Sequence, residues 1–177
     1  MCHGEYIRCF IIVERGDDEL KFLVVSDTHV PTRNRDLPKR VIELMDECDG
    51  IIALGDYVSM NVVALFNSHR IFYGVHGNMD EPDVKAYLPQ IKRVRLEGVD
   101  VGLCHGWGPP WGIKERILNL FQEKPQVVIF GHTHTPCDEV FGGVRFLNPG
   151  PAEPGGTLGV LMVKEGRLTF EIEELPR

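Results

Sequence analysis

The sequence lacks any apolar run long enough to cross a membrane. A transmembrane helix needs roughly 20 consecutive apolar residues, and no stretch of the chain approaches that length. The apolar run at residues 7–13 is short and interrupted by Arg8, and no small-residue cleavage site follows it. We therefore expect neither a membrane span nor a secretory signal.

Cysteine is sparse and forms no recognisable motif. The five cysteines are irregularly spaced, and none belongs to a Cys-x-x-Cys pair. Free thiols in a reducing cytoplasm are the simplest interpretation, so a cytoplasmic location is expected. Cys2, His3 and Cys9 could in principle bind a metal, but no second ligand pair lies near them.

The sequence also contains fewer basic than acidic residues. Lys and Arg number 19 against 26 Asp and Glu, which gives a formal net charge of −7. A protein that grips nucleic acid through its phosphates normally carries a basic stripe, and this sequence has none. The charge balance argues against dedicated nucleic-acid binding, although it leaves open a nuclease whose metals grip the substrate.

The remaining composition is that of one globular domain. The 177 residues are 43% hydrophobic and 25% charged, which suits a single sizeable core. We predict that residues 21–177 form this domain and that residues 1–20 are an N-terminal extension. The extension either adds an edge strand at residues 7–13 or reflects a start codon assigned too early.

Strand-like apolar runs alternate with helical stretches along the chain. The first half follows a β-α-β pattern and the second is richer in hairpins. This mixture suggests an α/β fold, a four-layer α-β-β-α sandwich of two mixed sheets flanked by helices. The predicted strands are residues 22–26, 50–54, 70–75, 93–96, 99–104, 126–130, 158–164 and 167–173, and the predicted helices are residues 37–48, 60–69 and 113–123.

Polar residues suited to binding follow five of the predicted strands, and sites in α/β sheets form at such strand ends. In extended backbone, residues two apart point to one side, so the pairs Asp27–His29 and His132–His134 should each face a common ligand. Taken singly, these motifs also fit turns or helix caps. The strand-end candidates are Asp27, His29, Asp56, Asn78, His105, His132 and His134.

The order of the motifs is more informative than any one of them. Asp-x-His, Gly-Asp, Gly-Asn-x-Asp, His-Gly and Gly-His-x-His follow one another, each after a strand-like run. In this the chain resembles the calcineurin-like metallophosphoesterases, and among them the small bacterial and archaeal phosphodiesterases. The resemblance extends from about Lys21 to the end and includes the loop Leu147-Asn148-Pro149-Gly150. It implies a single domain without a cap, and therefore an open site.

The resemblance also implies a dinuclear metal site. One ion would be held by Asp27, His29, Asp56 and His134, and the other by Asp56, Asn78, His105 and His132, with Asp56 bridging them. Oxygen ligands mixed with imidazoles suit two divalent transition-metal ions, Mn²⁺ first and Ni²⁺, Fe²⁺ or Zn²⁺ as alternatives, better than Ca²⁺. Asp80 is expected to orient a ligand imidazole such as His105 or, equally, to cap a helix.

The sequence departs from the family pattern in two places. Many larger members have a histidine after the Asn that protonates the leaving group, and this chain has Met79 there. His76 could approach the site as a substitute donor, or it could be structural. The segment after His105 contains Trp107 and Trp111, which could stack on a base or an aromatic leaving group but are expected rather to pack in the core or an oligomer interface.

Together these features predict a phosphodiesterase that uses a metal-bridging hydroxide for direct in-line attack on a small phosphodiester. One alternative is a non-catalytic scaffold that binds partner proteins, as a relative in the eukaryotic retromer complex does. Intact ligand positions argue against that alternative. Another is a phosphomonoesterase or nuclease on the same metal pair. A homo-oligomer is expected by analogy alone.

Overall fold

The computed structural model describes residues 11–13 and 19–177. The helices are α1 (Lys39–Glu47), α2 (Met60–Asn67), α3 (Pro82–Tyr87) and α4 (Ile113–Leu118). The strands are β1 (Ile11–Val13), β2 (Leu20–Val25), β3 (Gly50–Ala53), β4 (Phe72–Gly74), β5 (Ile91–Leu96), β6 (Val99–Cys104), β7 (Val127–Phe130), β8 (Cys137–Phe141), β9 (Val144–Asn148), β10 (Thr157–Lys164) and β11 (Arg167–Glu174).

These strands form two mixed sheets. The five-stranded sheet has the order β11-β10-β2-β3-β4, and the six-stranded sheet has the order β1-β5-β6-β7-β9-β8. Strands β2, β3 and β4 run parallel to one another, as do β6, β7 and β9. The pairs β10–β2 and β5–β6 are antiparallel. The predicted fold class is therefore confirmed.

Three apolar clusters account for the four layers. Between the sheets, Val24 and Ile52 of one sheet and Val101 and Ile129 of the other belong to a single buried cluster. Helices α1, α2 and α3 cover the outer face of the five-stranded sheet, and α4 covers the outer face of the six-stranded sheet. Fully burying each large aliphatic side chain stabilises the fold by about 1.5–3 kcal/mol.

The first helix shows how the sequence makes these layers. In α1, Val41, Leu44 and Met45 are buried, and their spacing of three and one places them on one helical face. The two long strands after residue 156 pair across the turn at Glu165-Gly166, where both residues have positive φ.

Three elements were not predicted, namely helix α3 and the strands β8 and β9. Helix α3 has only six residues and begins with Pro82 at its first turn, so it is too short to show a clear period. The hairpin of β8 and β9 lies at a sheet edge, and three of the five β8 residues are exposed. Exposed edge strands lack the apolar alternation that identifies a strand in sequence. The predicted helix at residues 113–123 ends earlier, at Leu118.

Strand β1 pairs in parallel with β5, with Ile11 opposite Val94. The rest of the predicted strand segment, residues 7–10, lies outside the described residues. The division into an extension at residues 1–20 and a domain at 21–177 stays a prediction. Among the described residues, no helix is both long enough and apolar enough to cross a membrane.

Candidate metal centre

The strand-end residues meet at one edge of the two sheets. Asp27 follows β2, Asp56 follows β3 and Asn78 follows β4, while His105 follows β6 and the His132–His134 pair follows β7. Since β2, β3 and β4 are parallel, and so are β6 and β7, each set of carboxyl ends lies on one side of its sheet. The face-to-face packing of the sheets brings the two sets together.

One group of ligand atoms surrounds Asp27. Its Oδ1 lies 3.1 Å from Nε2 of His134 and 3.9 Å from Nε2 of His29, and the two imidazole nitrogens are 3.4 Å apart. Asp27 and His29 are buried, and His134 is partly exposed. The three atoms are close enough to coordinate one ion.

A second group surrounds His105. Its Nε2 lies 3.3 Å from Oδ2 of Asp56 and 3.8 Å from Oδ1 of Asp27, and these three atoms also lie close enough to share an ion. The ring of His132 is 5.2 Å from the ring of His105, centroid to centroid. Asn78 is exposed and lines the same cavity as His105.

The structure thus brings all seven predicted ligands to one region. Asp27 is the member common to both groups, whereas the sequence-based assignment gave the shared position to Asp56. The bridging role of Asp56 stays a prediction.

Buried atoms without hydrogen bonds show that these residues fit a metal. Among the described residues, Oδ1 of Asp27 and Nε2 of His105 are buried and make no hydrogen bond of good geometry, although imidazole and carboxylate atoms lie 3.1 Å and 3.3 Å from them. Buried polar atoms are nearly always paired, and an unpaired one costs about 1–3 kcal/mol. An unpaired carboxylate oxygen and an unpaired imidazole nitrogen 3.8 Å apart are well placed to coordinate a divalent cation.

The electrostatics favour a cation as well. Burial raises the pKa of Asp27, but the close approach of His134 and the charge of His105 outweigh burial and hold that pKa below its usual value. For Asp56, burial likewise opposes ionisation, and the contact with His105 outweighs it and lowers the pKa. Both carboxylates are therefore ionised in the folded protein at neutral pH, and they supply two negative charges to a metal that binds beside the neutral imidazoles.

Backbone carbonyls fix the orientation of two imidazoles. Nδ1 of His105 donates to the Leu54 carbonyl at 2.6 Å, which leaves its Nε2 lone pair facing the carboxylates. Nε2 of His132 donates to the Gly108 carbonyl at 2.8 Å, so the lone pair of that ring is on Nδ1. Such partners commonly hold ligand imidazoles in one tautomer and orientation.

The expectation that Asp80 orients the imidazole of His105 is wrong. Its Oδ2 accepts hydrogen bonds from the backbone N–H of Asp56 at 3.0 Å and of Gly77 at 2.7 Å, and its Oδ1 accepts one from Val58 at 2.7 Å. The His105 ring bonds Leu54 instead. Asp80 also makes no side-chain cap on α3, whose N-cap residue is Glu81. It supports the site by joining the Asp56 loop to the loop after β4.

The backbone of the ligand loops is not extended, contrary to the sequence-based expectation. Positive φ angles of about +50° to +70° are uncommon for residues with a side chain and are found most often at functional sites. Asp27 and His29 join the same group of ligand atoms, whereas His134 joins that group and His132 lies beside His105. The ligand residues with positive φ are Asp27, His29, Asp56, His132 and His134.

Glycine is required where the loops approach each other most closely. A Cβ on Gly77 would lie 2.2 Å from Oδ1 of Asp56, and a Cβ on Gly131 would lie 1.9 Å from Oγ of Ser26. Neither distance is sterically possible, so glycine at these two positions lets the ligand loops close around the site.

Sequence reasoning missed two supporting residues. The Ser26 hydroxyl donates to Oδ2 of Asp27 at 2.6 Å. The Asn148 amide donates to the Gly131 carbonyl at 2.9 Å and to Oγ1 of Thr133 at 3.1 Å, and its Oδ1 accepts from the Gly150 N–H. The loop at residues 147–150 carries a signal for Asn148, because that loop is part of the resemblance to the family. Nothing in the sequence singles out Ser26.

His76 and Trp107 line one cavity beside the candidate site. His76 lines a cavity with Asn78 and His105, which places it near the candidate ligands. Met79 is 51% exposed and has no proton to donate. Trp107 is 38% and Trp111 is 76% exposed, so the tryptophans do not pack in the core, and their packing in an oligomer interface stays a prediction.

Comparison with known proteins agrees with the geometry. The family model described as the calcineurin-like phosphoesterase superfamily domain matches residues 20–165. A probable metallophosphoesterase of Methanothermobacter thermautotrophicus is 32% identical over 142 residues, which are 79% of this chain and 82% of that one. The solution structure of the Thermotoga maritima protein TM1076 is 51% identical with a TM-score of 0.77, covering 88% of this chain and 99% of that one.

More distant structures share the fold alone. An archaeal protein described as a novel phosphodiesterase is 22% identical with a TM-score of 0.65, covering 87% of this chain and 100% of that one. Wild-type Vps29 of Entamoeba histolytica in complex with Zn²⁺ is also 22% identical, with a TM-score of 0.66, covering 88% of this chain and 99% of that one.

Proposed function

Because the chain belongs to the calcineurin-like phosphoesterase superfamily, we propose that it is a metal-dependent phosphodiesterase acting on small substrates. The observation that carries this proposal is the convergence of buried, unpaired ligand atoms from strand-end loops of both sheets.

The chain offers ligands for two ions. Asp27, His29 and His134 would hold one, and Asp56, Asn78, His105 and His132 the other, with Asp56 as the proposed bridge. When bound, a pair of divalent ions lowers the pKa of a water molecule and stabilises the oxygens of an in-line displacement at phosphorus. Ser26 and His132 hold the carboxylate of Asp27 in position through its Oδ2. We propose Mn²⁺ as the preferred metal, since hard oxygens and imidazoles make up the ligand set.

The charge of such a site suits an anionic substrate. Two divalent ions add four positive charges and the ionised Asp27 and Asp56 remove two, so about +2 remains before any water ionises. This local charge attracts a phosphodiester even though the formal net charge of the chain is −7. Direct attack by an activated water needs no nucleophilic side chain in the site.

The absence of a proton donor at Met79 favours diesters with good leaving groups. General acid catalysis contributes roughly 10²–10⁴-fold, and a thioether cannot provide it. His76 is the proposed substitute because it lines the cavity beside Asn78 and His105. In this account His76 protonates the leaving oxygen of substrates whose alcohols are poor leaving groups.

A scaffold function is the second candidate. Its support is the shared fold with a Vps29, together with the exposed Trp107 and Trp111, which could contact a protein partner. The convergence of the seven candidate ligand residues on one region supports catalysis. Cytoplasmic location and self-association also stay proposals; the described cysteines Cys48, Cys104 and Cys137 are free thiols, as a reducing compartment requires.

A substrate comparison tests the proposal. Purified protein loaded with Mn²⁺ would be given bis(4-nitrophenyl) phosphate, 4-nitrophenyl phosphate and a cyclic nucleotide in parallel. The proposal expects kcat/KM for the nitrophenyl diester to exceed that for the monoester. Preference for the monoester would overturn the diesterase assignment, and stoichiometric metal binding without turnover of any substrate would favour the scaffold.

A further inference from the structure

A cavity of about 130 Å³ opens beside the candidate metal centre. Asn78 and His105 are among its lining residues, so the cavity adjoins the proposed position of the second ion. Trp107 and Leu120 contribute apolar surface, and Gln90 contributes an amide. Any phosphodiester bound at the metals would direct one of its ester arms towards this space.

The size of the cavity limits what it can hold. Pockets for drug-sized ligands are roughly 300–1,000 Å³, several times larger. The space beside Trp107 therefore suits a single small group rather than an extended chain or a protein segment. Trp107 and Leu120 in the lining favour a flat ring, and the Gln90 amide offers both a donor and an acceptor to a ring edge.

The loop that contains Trp107 is held in place. The Arg116 guanidinium donates to the carbonyl of Trp107 at 3.2 Å, to that of Trp111 at 3.0 Å, and to that of Pro109. The same loop accepts the hydrogen bond from His132 through Gly108. The wall is thus pre-ordered and is connected to a metal ligand, which reduces the entropy lost when a ring binds.

A positive charge at the edge of the cavity suits the anionic phosphate of a bound diester. Nζ of Lys85 donates to the Asn78 carbonyl at 2.8 Å, so its positive charge lies at the junction of cavity and metal centre. This arrangement would hold the anionic phosphate at the metals while the neutral ester arm enters the cavity.

We propose that this cavity is the subsite for one ester arm of the substrate and that it selects arms bearing a small planar ring, aryl or nucleobase. The inference rests on the proposed phosphodiesterase function and adds the substrate class. Trp107 is the residue that determines this selectivity. Trp111, on the same loop but outside the cavity lining, has no part in it.

Fluorescence provides a direct test because the chain contains only two tryptophans. In the Trp111→Phe variant, Trp107 is the sole tryptophan. Diphenyl phosphate added to the Zn²⁺-loaded variant should quench the emission saturably, whereas dimethyl phosphate, of equal charge and without rings, should not. In the matched Trp107→Phe variant, the remaining Trp111 should not respond to either compound.

Kinetics provide the second measurement. Stacking of one ring on an aromatic side chain contributes roughly 1–3 kcal/mol, so Trp107→Ala should raise KM for bis(4-nitrophenyl) phosphate about tenfold. Trp111→Ala should leave KM unchanged. A dinucleoside monophosphate tested beside diphenyl phosphate distinguishes a nucleobase from a simple aryl ring, and quenching by either supports the subsite.

The outcomes separate the subsite from the reaction. The subsite proposal is overturned if Trp107→Ala and Trp111→Ala affect diester hydrolysis equally, or if neither ring-bearing diester quenches the emission saturably. Either result leaves the enzyme proposal intact. Quenching by diphenyl phosphate in a protein that hydrolyses no diester supports the subsite and overturns the proposed reaction.

Discussion

The carboxylate of Asp27 accepts a hydrogen bond of 3.0 Å from the backbone N–H of His132. Asp27 follows β2 of the five-stranded sheet, and His132 follows β7 of the six-stranded sheet. This contact joins the ligand loops of the two sheets through Oδ2, while Oδ1 stays unpaired and faces the imidazoles. Oδ2 of Asp27 therefore links the loops that form the site, and Oδ1 is the oxygen available to a metal.

Ser26→Ala should weaken metal binding without unfolding the protein. Ser26 donates the second hydrogen bond to Oδ2 of Asp27, and loss of such a supporting partner costs roughly 10–100-fold in metal affinity. Calorimetric titration with Mn²⁺ measures the effect. Thr28→Val is the matched control, since the buried Thr28 hydroxyl has no hydrogen-bond partner and its loss should change affinity little. Equal effects of the two variants would contradict the role of Ser26.

Asp80→Asn should destabilise the metal-free protein. The carboxylate accepts three backbone hydrogen bonds, and an amide presents an N–H group to at least one of those donors. Each hydrogen bond to a charged group is worth roughly 1.5–3 kcal/mol, so the free energy of unfolding in urea should fall by about 3 kcal/mol. Asp83→Asn, whose carboxylate accepts only from the adjacent Val84 N–H, should cost less than about 1 kcal/mol. A comparable loss in both variants would reject the proposed support.

Gly77→Ala should abolish binding of one metal ion. The added Cβ would lie 2.2 Å from Oδ1 of Asp56, so the carboxylate must move out of the site. Gly98→Ala is the control, because Gly98 also has a positive φ, +85°, and no atom of the described residues lies within 4 Å of the position that its Cβ would take. That control should cost only about 1–2 kcal/mol of stability and keep full metal stoichiometry. Two ions bound per chain in Gly77→Ala would contradict the prediction.

His76→Gln should slow substrates according to their leaving groups. If His76 protonates the leaving oxygen, kcat for diesters of poorly acidic alcohols should fall by roughly 10²-fold or more, while 4-nitrophenyl esters, which need no acid, should change little. The measurement is the dependence of log kcat on leaving-group pKa. Met79→His is the complementary variant and should flatten that dependence by adding a donor. An unchanged slope in His76→Gln would assign His76 a structural role.

The sequence was informative about strand ends and uninformative about the contacts between loops. Asp27, Asp56 and Asn78 could be placed together because parallel strands end at one sheet edge, and so could His105 and the His132–His134 pair. The partner of Asp80 could not be predicted, since it depends on how closely the loops after β3 and β4 approach. The left-handed backbone at Asp27 and His29 could not be predicted either, because backbone propensity favours an extended conformation at a strand end.

The fold, too, could be predicted from the sequence only in part. Buried strands such as β3, in which all four residues are buried, produce continuous apolar runs that predict their position. The exposed strand β8 and the six-residue helix α3 produce no such pattern, and their positions depend on pairing with β9 and on packing against α2. The exposure of Trp107 and Trp111 follows from Arg116 holding their loop at the surface, a contact that sequence spacing does not show.

The central claim is that the converging side chains form a catalytic metal centre, and metal add-back tests it most directly. Protein stripped with a chelator would be titrated with Mn²⁺ or Ni²⁺ while hydrolysis of bis(4-nitrophenyl) phosphate is followed beside Asp56→Ala. We predict that activity returns with about two metal ions per chain and is absent from the variant at every metal concentration. Wild-type protein that binds two ions and hydrolyses no diester, or an Asp56→Ala variant as active as wild type, would contradict the account.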